Sequence, residues 1–221
     1  VIVNGKIPEL GTKVSLADEI SIDGKLLNSK EKPVYIAFNK PVGITCTTDV
    51  KEKNNIIDFL KYPKRIFPIG RLDKPSEGLI FLTNDGDIVN KILRAGNNHE
   101  KEYWVVVSKP VSREFISLMA NGVKILETVT QKCFVEQQGQ FGFRIILTQG
   151  LNRQIRRMCD ALGYKVEKLR RVRIMNITLD KLEIGMWRYL TASEIEAINN
   201  LVAASSKTEE ASYINSDFED E

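Results

Sequence analysis

One histidine, three cysteines and no long apolar run set the first limits on this 221-residue chain. With His99 alone, a zinc site would lack its usual ligands, so no metal is expected. Cys46, Cys133 and Cys159 are odd in number and far apart, which fits buried thiols in a reducing cytosol better than a disulfide framework. No stretch approaches the roughly 18 apolar residues of a membrane span, and the start has no basic segment leading into an apolar one. A soluble, cytoplasmic protein without membrane contact is the expectation. Internal repeats and the glycine-rich loops that cradle nucleotide phosphates are also missing.

What the chain does have is a core and an uneven charge. At 43% hydrophobic and 28% charged residues it can bury a large domain with a small appendage. The 32 Lys and Arg and 29 Asp and Glu give +3, but six of the acids and none of the bases lie in residues 208–221. The preceding residues therefore carry 32 bases against 23 acids (29 − 6), or +9. Arg153, Arg156, Arg157, Lys165, Lys168, Arg170, Arg171 and Arg173 crowd into one segment that holds only Asp160 and Glu167 as acids. Such clustering is the footprint of a phosphate-bearing partner or of a solvated helix face.

Patterning along the chain predicts an α+β fold with a mixed, mostly antiparallel sheet. Residues 1–27 alternate and turn at Asn4-Gly5 and Asp23-Gly24, as short hairpin strands too small to bury a core. Residues 28–33 read as a linker, 34–204 as one domain, and the acidic residues 205–221 as a disordered tail. Strands are expected at 34–38, 79–83, 102–107, 166–169 and 174–179, with a hairpin joining 133–136 to 141–148. Helical spacing marks 88–96 and 112–120. Asn152 is the expected cap of a helix over 153–162, with Ile155, Met158, Cys159 and Leu162 inward and Arg153, Arg156 and Arg157 on the opposite stripe. Thr191-Ala-Ser-Glu194 is a capping box for the last helix.

Asp73 stands between the cations Arg71 and Lys74 and the apolar run Leu79-Ile80-Phe81-Leu82. A carboxylate held ionised there could act as a nucleophile; by itself the tripeptide Arg-Leu-Asp favours a surface ion pair opening a strand. Two further segments converge with it. Tyr103 lies in the charged strand Lys101-Glu102-Tyr103, and Arg153 and Arg156 lie in the arginine-rich helix. Carboxylate, aromatic and arginines together suit chemistry on an extruded RNA base.

These segments resemble, in order and spacing, the motifs of the RsuA/RluF-type RNA pseudouridine synthases. Gly70-Arg71-Leu72-Asp73 with Ser76-Glu77-Gly78-Leu79 looks like the catalytic motif, and Asn39-Lys40-Pro41-Val42-Gly43 like the first motif. Lys101-Glu102-Tyr103 is similar to the tyrosine motif and Asn152-Arg153-Gln154-Ile155-Arg156-Arg157 to the arginine motif. Lys168-Leu169-Arg170-Arg171 resembles the segment that closes the pocket, and His99-Glu100-Lys101-Glu102-Tyr103 points to the RluF branch. Pro75 departs from the pattern, standing where related sequences often carry an acid. Residues 1–27 are similar to the last strands of the small RNA-binding domain that precedes the catalytic domain in the family, so a truncated remnant of it is expected.

The resemblance implies that the chain isomerises a uridine of RNA, most often of large-subunit ribosomal RNA or else of a transfer RNA, as a monomer. It implies Asp73 as nucleophile at uracil carbon 6 or ribose carbon 1′, Tyr103 as the stacking ring and Arg156 as the partner of Asp73. Leu169 would pack on the base, and Arg71, Lys40, Arg153, Arg157 and Lys101 would bind substrate. No cofactor is implied, since moving a base from one carbon to another involves no redox step. Two other readings stay open on the residues alone: a non-catalytic RNA-binding protein, and a hydrolase pairing Asp73 with Glu77 as acid. If the basic segment binds phosphates, affinity for RNA falls linearly with the logarithm of salt concentration, and a filter-binding titration showing no slope would remove that role.

Overall fold

The computed structural model describes residues 1–15, 17–27, 32–93 and 99–203. Most of the expected linker, the whole acidic tail and the helix end expected near Gly96 lie outside these residues. Contacts divide the chain into two compact units, Val1–Pro33 and Val34–Glu221. In the first, strands β1 (Ile2–Val3), β2 (Ile20–Ile22) and β3 (Lys25–Leu26) pair antiparallel in that order. Asn4-Gly5 has φ of 50° and 75° and Asp23-Gly24 has 51° and 75°. Two successive positive φ values are what a two-residue type I′ hairpin needs, and Asn-Gly and Asp-Gly supply them cheaply. Among its described residues none is buried, and 11–14 forms no strand.

The second unit runs β4 (Tyr35–Lys40), α1 (Ile56–Leu60), β5 (Phe67–Ile69), β6 (Glu77–Thr83), α2 (Gly86–Leu93), β7 (Lys101–Val107), α3 (Arg113–Asn121), β8 (Lys124–Ile125) and β9 (Thr128–Val129). It continues through β10 (Phe134–Gln137), β11 (Gly142–Leu147), α4 (Gln154–Ala161), β12 (Val166–Ile174), β13 (Ile177–Thr178), β14 (Trp187–Tyr189) and α5 (Ala192–Ala203). Among the described residues nine strands share one sheet, along β10-β11-β7-β12-β6-β4-β14 with β13 on β12 and β5 on β6. Only β12 and β6 run parallel; the remaining pairs are antiparallel, in keeping with the α+β expectation.

Alternation assigns the two faces. Val105, Val107, Phe143, Ile145 and Leu169 meet Phe115 and Met119 of α3 and Ile155, Met158 and Cys159 of α4 on one side. Ala37, Leu79 and Phe81 meet Ile88 and Ile92 of α2 and Ile198 and Val202 of α5 on the other. Strand β6 contributes Ile80 and Leu82 to the first core and Leu79 and Phe81 to the second, so it is buried on both faces. That is why its sequence is an unbroken apolar run rather than an alternating one.

Three details differ from the sequence reading. The strands expected at 166–169 and 174–179 are one continuous β12 followed by the short β13, because the arginines between them pair through the ladder to β7. Helix α4 begins at Gln154, and its N-cap is Arg153 in the left-handed region (φ 48°, ψ 32°) without a side-chain cap bond. Asn152 instead accepts from Arg157 through its backbone and side-chain oxygens, both at 3.2 Å. Elements α1, β5 and β14 are too short for periodicity to reveal. The capping box does form: Thr191 N–H donates to Glu194 Oε2 at 2.8 Å, and Glu194 N–H to Thr191 Oγ1 at 3.2 Å.

Gly78 lies where β6 passes between β4 and β12, with φ 117°. A Cβ there would stand 2.2 Å from the Arg171 carbonyl oxygen and 2.6 Å from its nitrogen. Backbone cannot give way as a side chain tip can. Gly78→Ala is expected to cost about 3 kcal/mol or more, read by calorimetry as a melting temperature lower by about 6–12 °C.

Candidate active site

Asp73 precedes β6 on a short loop that three neighbouring segments hold. Ser76 N–H closes the turn onto the Asp73 carbonyl at 2.9 Å, and Gly43 N–H donates to the Lys74 carbonyl at 2.8 Å. Before the loop, Leu72 and the buried Cys46 exchange bonds: Leu72 N–H donates to Cys46 Sγ at 3.4 Å and the thiol to the Leu72 carbonyl at 3.2 Å. Burial pushes the Cys46 thiol up, which keeps it protonated and able to donate. The Leu72 side chain is itself core, so the apolar interior anchors the residue beside Asp73.

Two arginines reach the carboxylate from α4. Arg156 Nε is 3.7 Å and Arg153 Nη1 3.9 Å from Asp73 Oδ2. The Asp73 side chain is 33% exposed, Arg153 47% and Arg156 only 11%, so the acid stands at an open mouth with one cation beneath it and one at the rim. Arg156 does not lie on the solvated stripe expected of it. Its Nη2 donates to Ser76 Oγ at 2.9 Å and to the Pro75 carbonyl at 3.2 Å, and its Nη1 to the Val166 carbonyl at 3.3 Å. Its Nε is buried without a hydrogen-bond partner and faces the carboxylate. Burial pushes the guanidinium pKa down and the Asp73 charge opposes this; arginine stays protonated regardless. Arg153 reaches the rim from a left-handed backbone that costs a non-glycine residue of order 1–3 kcal/mol.

Tyr103 and Leu169 share one face of the sheet and pack in the apolar cluster that includes Leu72 and Ile155. Leu169 is 6% exposed and Tyr103 half-buried. Arg71 is exposed, and its carbonyl accepts from Arg171 at 3.4 Å. Other expected binding residues stand differently. Lys40 is fully buried, its ammonium donating to the carbonyls of Ile44 at 2.8 Å and Pro41 at 2.9 Å. Burial pushes its pKa down, with Cys46 and Asp73 opposing, so it is a charge beneath the site rather than an exposed contact. Arg157 donates to Asn152. Lys101 is half-buried, pushed down to about 8 by burial and by the Arg171 charge. Glu77 faces Arg170 at 3.9 Å.

The sequence places Ser76 in the catalytic motif and Arg171 in the pocket-closing segment without singling out either as a site residue; both are buried and both engage this loop. The usable signal for Arg171 was its place two residues after a core leucine in a strand, which puts it on the interior face. Among the described residues no three His, Cys, Asp or Glu side chains group as metal ligands. Hollows of about 370 and 260 Å³ elsewhere on this unit are lined by neither Asp73 nor Tyr103. The arrangement is a carboxylate at an open face, backed by a largely buried guanidinium, on a loop whose Leu72 packs in the same apolar cluster as Tyr103, and it can deliver a nucleophile to a group inserted from a large ligand.

The family of RNA pseudouridylate synthases matches residues 34–161. The dual-specificity RNA pseudouridine synthase RluF of Salmonella typhi is 55% identical over 208 residues, covering 93% of this chain and 72% of that protein. Ribosomal large subunit pseudouridine synthase B of Bacillus subtilis is 35% identical, covering 90% of this chain and 85% of its own. A crystal structure of a pseudouridylate synthase matches with a TM-score of 0.72 at 32% identity, over 89% of this chain and 87% of that one.

Replacing Arg156 leaves Ser76 Oγ and the Pro75 and Val166 carbonyls without their donor. Arg156→Met is expected to lower unfolding free energy by about 1–3 kcal/mol in a denaturant titration, as for leaving buried acceptors unsatisfied.

Proposed function

The chain belongs to the RsuA/RluF-type RNA pseudouridine synthases, and from that premise we propose that it isomerises a specific uridine of large-subunit ribosomal RNA with Asp73 as the nucleophile. The observation that carries the residue assignment is the setting of Asp73: one-third exposed, 3.7 Å from a buried guanidinium and 3.9 Å from one at the rim. A carboxylate on the surface of an open face can meet an extruded base, with a cation held in place beside it. Arg156 orients it and holds the turn that presents it. Tyr103 stacks on the base and Leu169 supports it from the apolar side. Arg153 and Arg71 face the RNA backbone.

The reaction exchanges one glycosidic bond for another. The bond from uracil N1 to ribose C1′ breaks, a bond from C5 to C1′ forms, the C5 hydrogen leaves as a proton and N1 gains one. Atoms and electrons balance within substrate and water. Extruding the uridine costs a few kcal/mol, and one aromatic stack returns about 1–3 kcal/mol. The substrate class is supported by the name of the Bacillus subtilis relative, which acts on the large ribosomal subunit. The relative named dual-specificity favours a second RNA class, and transfer RNA is the candidate. The setting proposed is a monomer in the cytoplasm; among the described residues no helix is long and apolar enough to cross a membrane.

Loss of tritium from C5-labelled uridine reads the reaction directly. With ribosomal RNA as substrate the intact chain is expected to release tritium and Asp73→Asn to lose at least about 1000-fold in kcat. Activity surviving in Asp73→Asn would sink the nucleophile assignment. Release from transfer RNA but not from ribosomal RNA would replace the substrate.

A further inference from the structure

Strand β12 carries Arg170, Arg171 and Arg173, and the sheet sorts them. Arg171 pairs with Tyr103 and Arg173 with Glu102 across the ladder to β7, so Val172 is a bulge that re-aims the side chains beyond it. Arg170 faces Glu77 at 3.9 Å, and Arg173 binds Glu100 at 2.8 Å and Glu102 at 2.9 Å. Arg171 takes the interior face shared by Leu169 and Tyr103, and is 4% exposed.

There its hydrogen-bond partners are two backbone carbonyls instead of a carboxylate. Nε donates to Leu79 O at 2.6 Å and Nη1 to Arg71 O at 3.4 Å. Nη2 is buried without a hydrogen-bond partner, and the guanidinium lies 6.0 Å from the Tyr103 ring centroid. Arg71 precedes Asp73 and Leu79 comes after it, so one side chain ties together both ends of the loop that presents the carboxylate, while standing against the aromatic ring.

A buried cation with carbonyls alone for partners is costly to keep, and an uncharged side chain could fill the same space. The planar fork of arginine fixes Nε and Nη1 relative to each other, which a lysine amine on a flexible stem cannot do. We propose that Arg171 is a positioning residue of the isomerisation, setting the placement of the Asp73 loop relative to Tyr103. The inference rests on the roles proposed for Asp73 and Tyr103. Gly78 belongs to the same device: without a side chain it lets β6 approach the Arg171 backbone.

The test uses the full chain with Arg171→Gln and Arg171→Lys. Tritium release from C5-labelled ribosomal RNA gives kcat and KM, filter binding gives RNA affinity, and amide hydrogen exchange tracks residues 70–79. Both variants are expected to bind RNA within about twofold of the intact chain while kcat falls about 100-fold, the size expected of a reacting group displaced by about 1 Å. Lysine is expected not to rescue kcat, because it reaches one carbonyl only. A kcat within threefold of the intact chain in either variant, or a loss confined to KM and affinity, overturns the proposal. If Arg171→Gln does not fold, Arg171→Lys carries the test, and failure of both to fold assigns Arg171 to the fold alone. Hydrogen exchange supplies an arm that needs no activity. Amides of 70–79 are expected to exchange about tenfold faster in Arg171→Lys with the rest of β12 unchanged, and unchanged exchange there overturns the proposal even on an RNA the enzyme does not accept. Activity in Asp73→Asn would count against the nucleophile instead, with the exchange result left standing.

Discussion

The Arg156 guanidinium is the contact on which the geometry around Asp73 depends. Its Nη2 grips Ser76 Oγ and the Pro75 carbonyl, its Nη1 reaches the start of β12, and its remaining edge faces the carboxylate. A single planar group therefore closes the turn after Asp73, fastens that turn to the sheet and places a positive charge 3.7 Å from the acid. Such a group works because arginine has five donors in a rigid plane and cannot lose its proton. Nε is the nitrogen of this group that has no hydrogen bond, and it is also the one aimed at the proposed nucleophile.

Cations around this loop differ in what they do because they differ in burial. Arg71 and Arg153 are exposed, Arg153 at the rim beside Asp73. Lys40, Arg156 and Arg171 are buried and bind backbone carbonyls of the chain itself. Counting bases in the sequence does not separate these groups, since all contribute equally to net charge. An electrostatic reading of the arginine-rich segment as one RNA-facing surface is therefore too simple: part of that charge is interior scaffolding and part is neutralised by Glu77, Glu100 and Glu102.

Much of the fold was legible because its signals are local. Patterning located β7 and the β10–β11 hairpin, helical spacing marked 112–120, the Thr191 to Glu194 box marked the start of the last helix, and the apolar run at 79–82 marked a strand. What was missed has equally physical reasons. Elements α1, β5 and β14 are three to five residues long and owe their existence to pairing and packing. The middle of β12 is arginine-rich and reads as polar, yet it is held by neighbours on both sides. The start of α4 turned on a left-handed Arg153, a conformation that residue type alone does not announce. Around Asp73, the motif residues were evident, whereas the buried roles of Ser76 and Arg171 were not.

The sequence by itself determined the class of fold, the family and the small set of residues that could bear the chemistry, because turn chemistry, periodicity and motif spacing are written in neighbouring residues. Only the tertiary structure decided which of those residues meet. That Arg156 is buried beneath Asp73 instead of lying on a solvated stripe, that Lys40 lies under the site and not in it, and that Arg171 spans both ends of the loop depend on how β12 and α4 pack against β6. Burial and distance between residues remote in sequence are properties of packing, and one residue type takes opposite roles according to whether the fold leaves it in water or in the core.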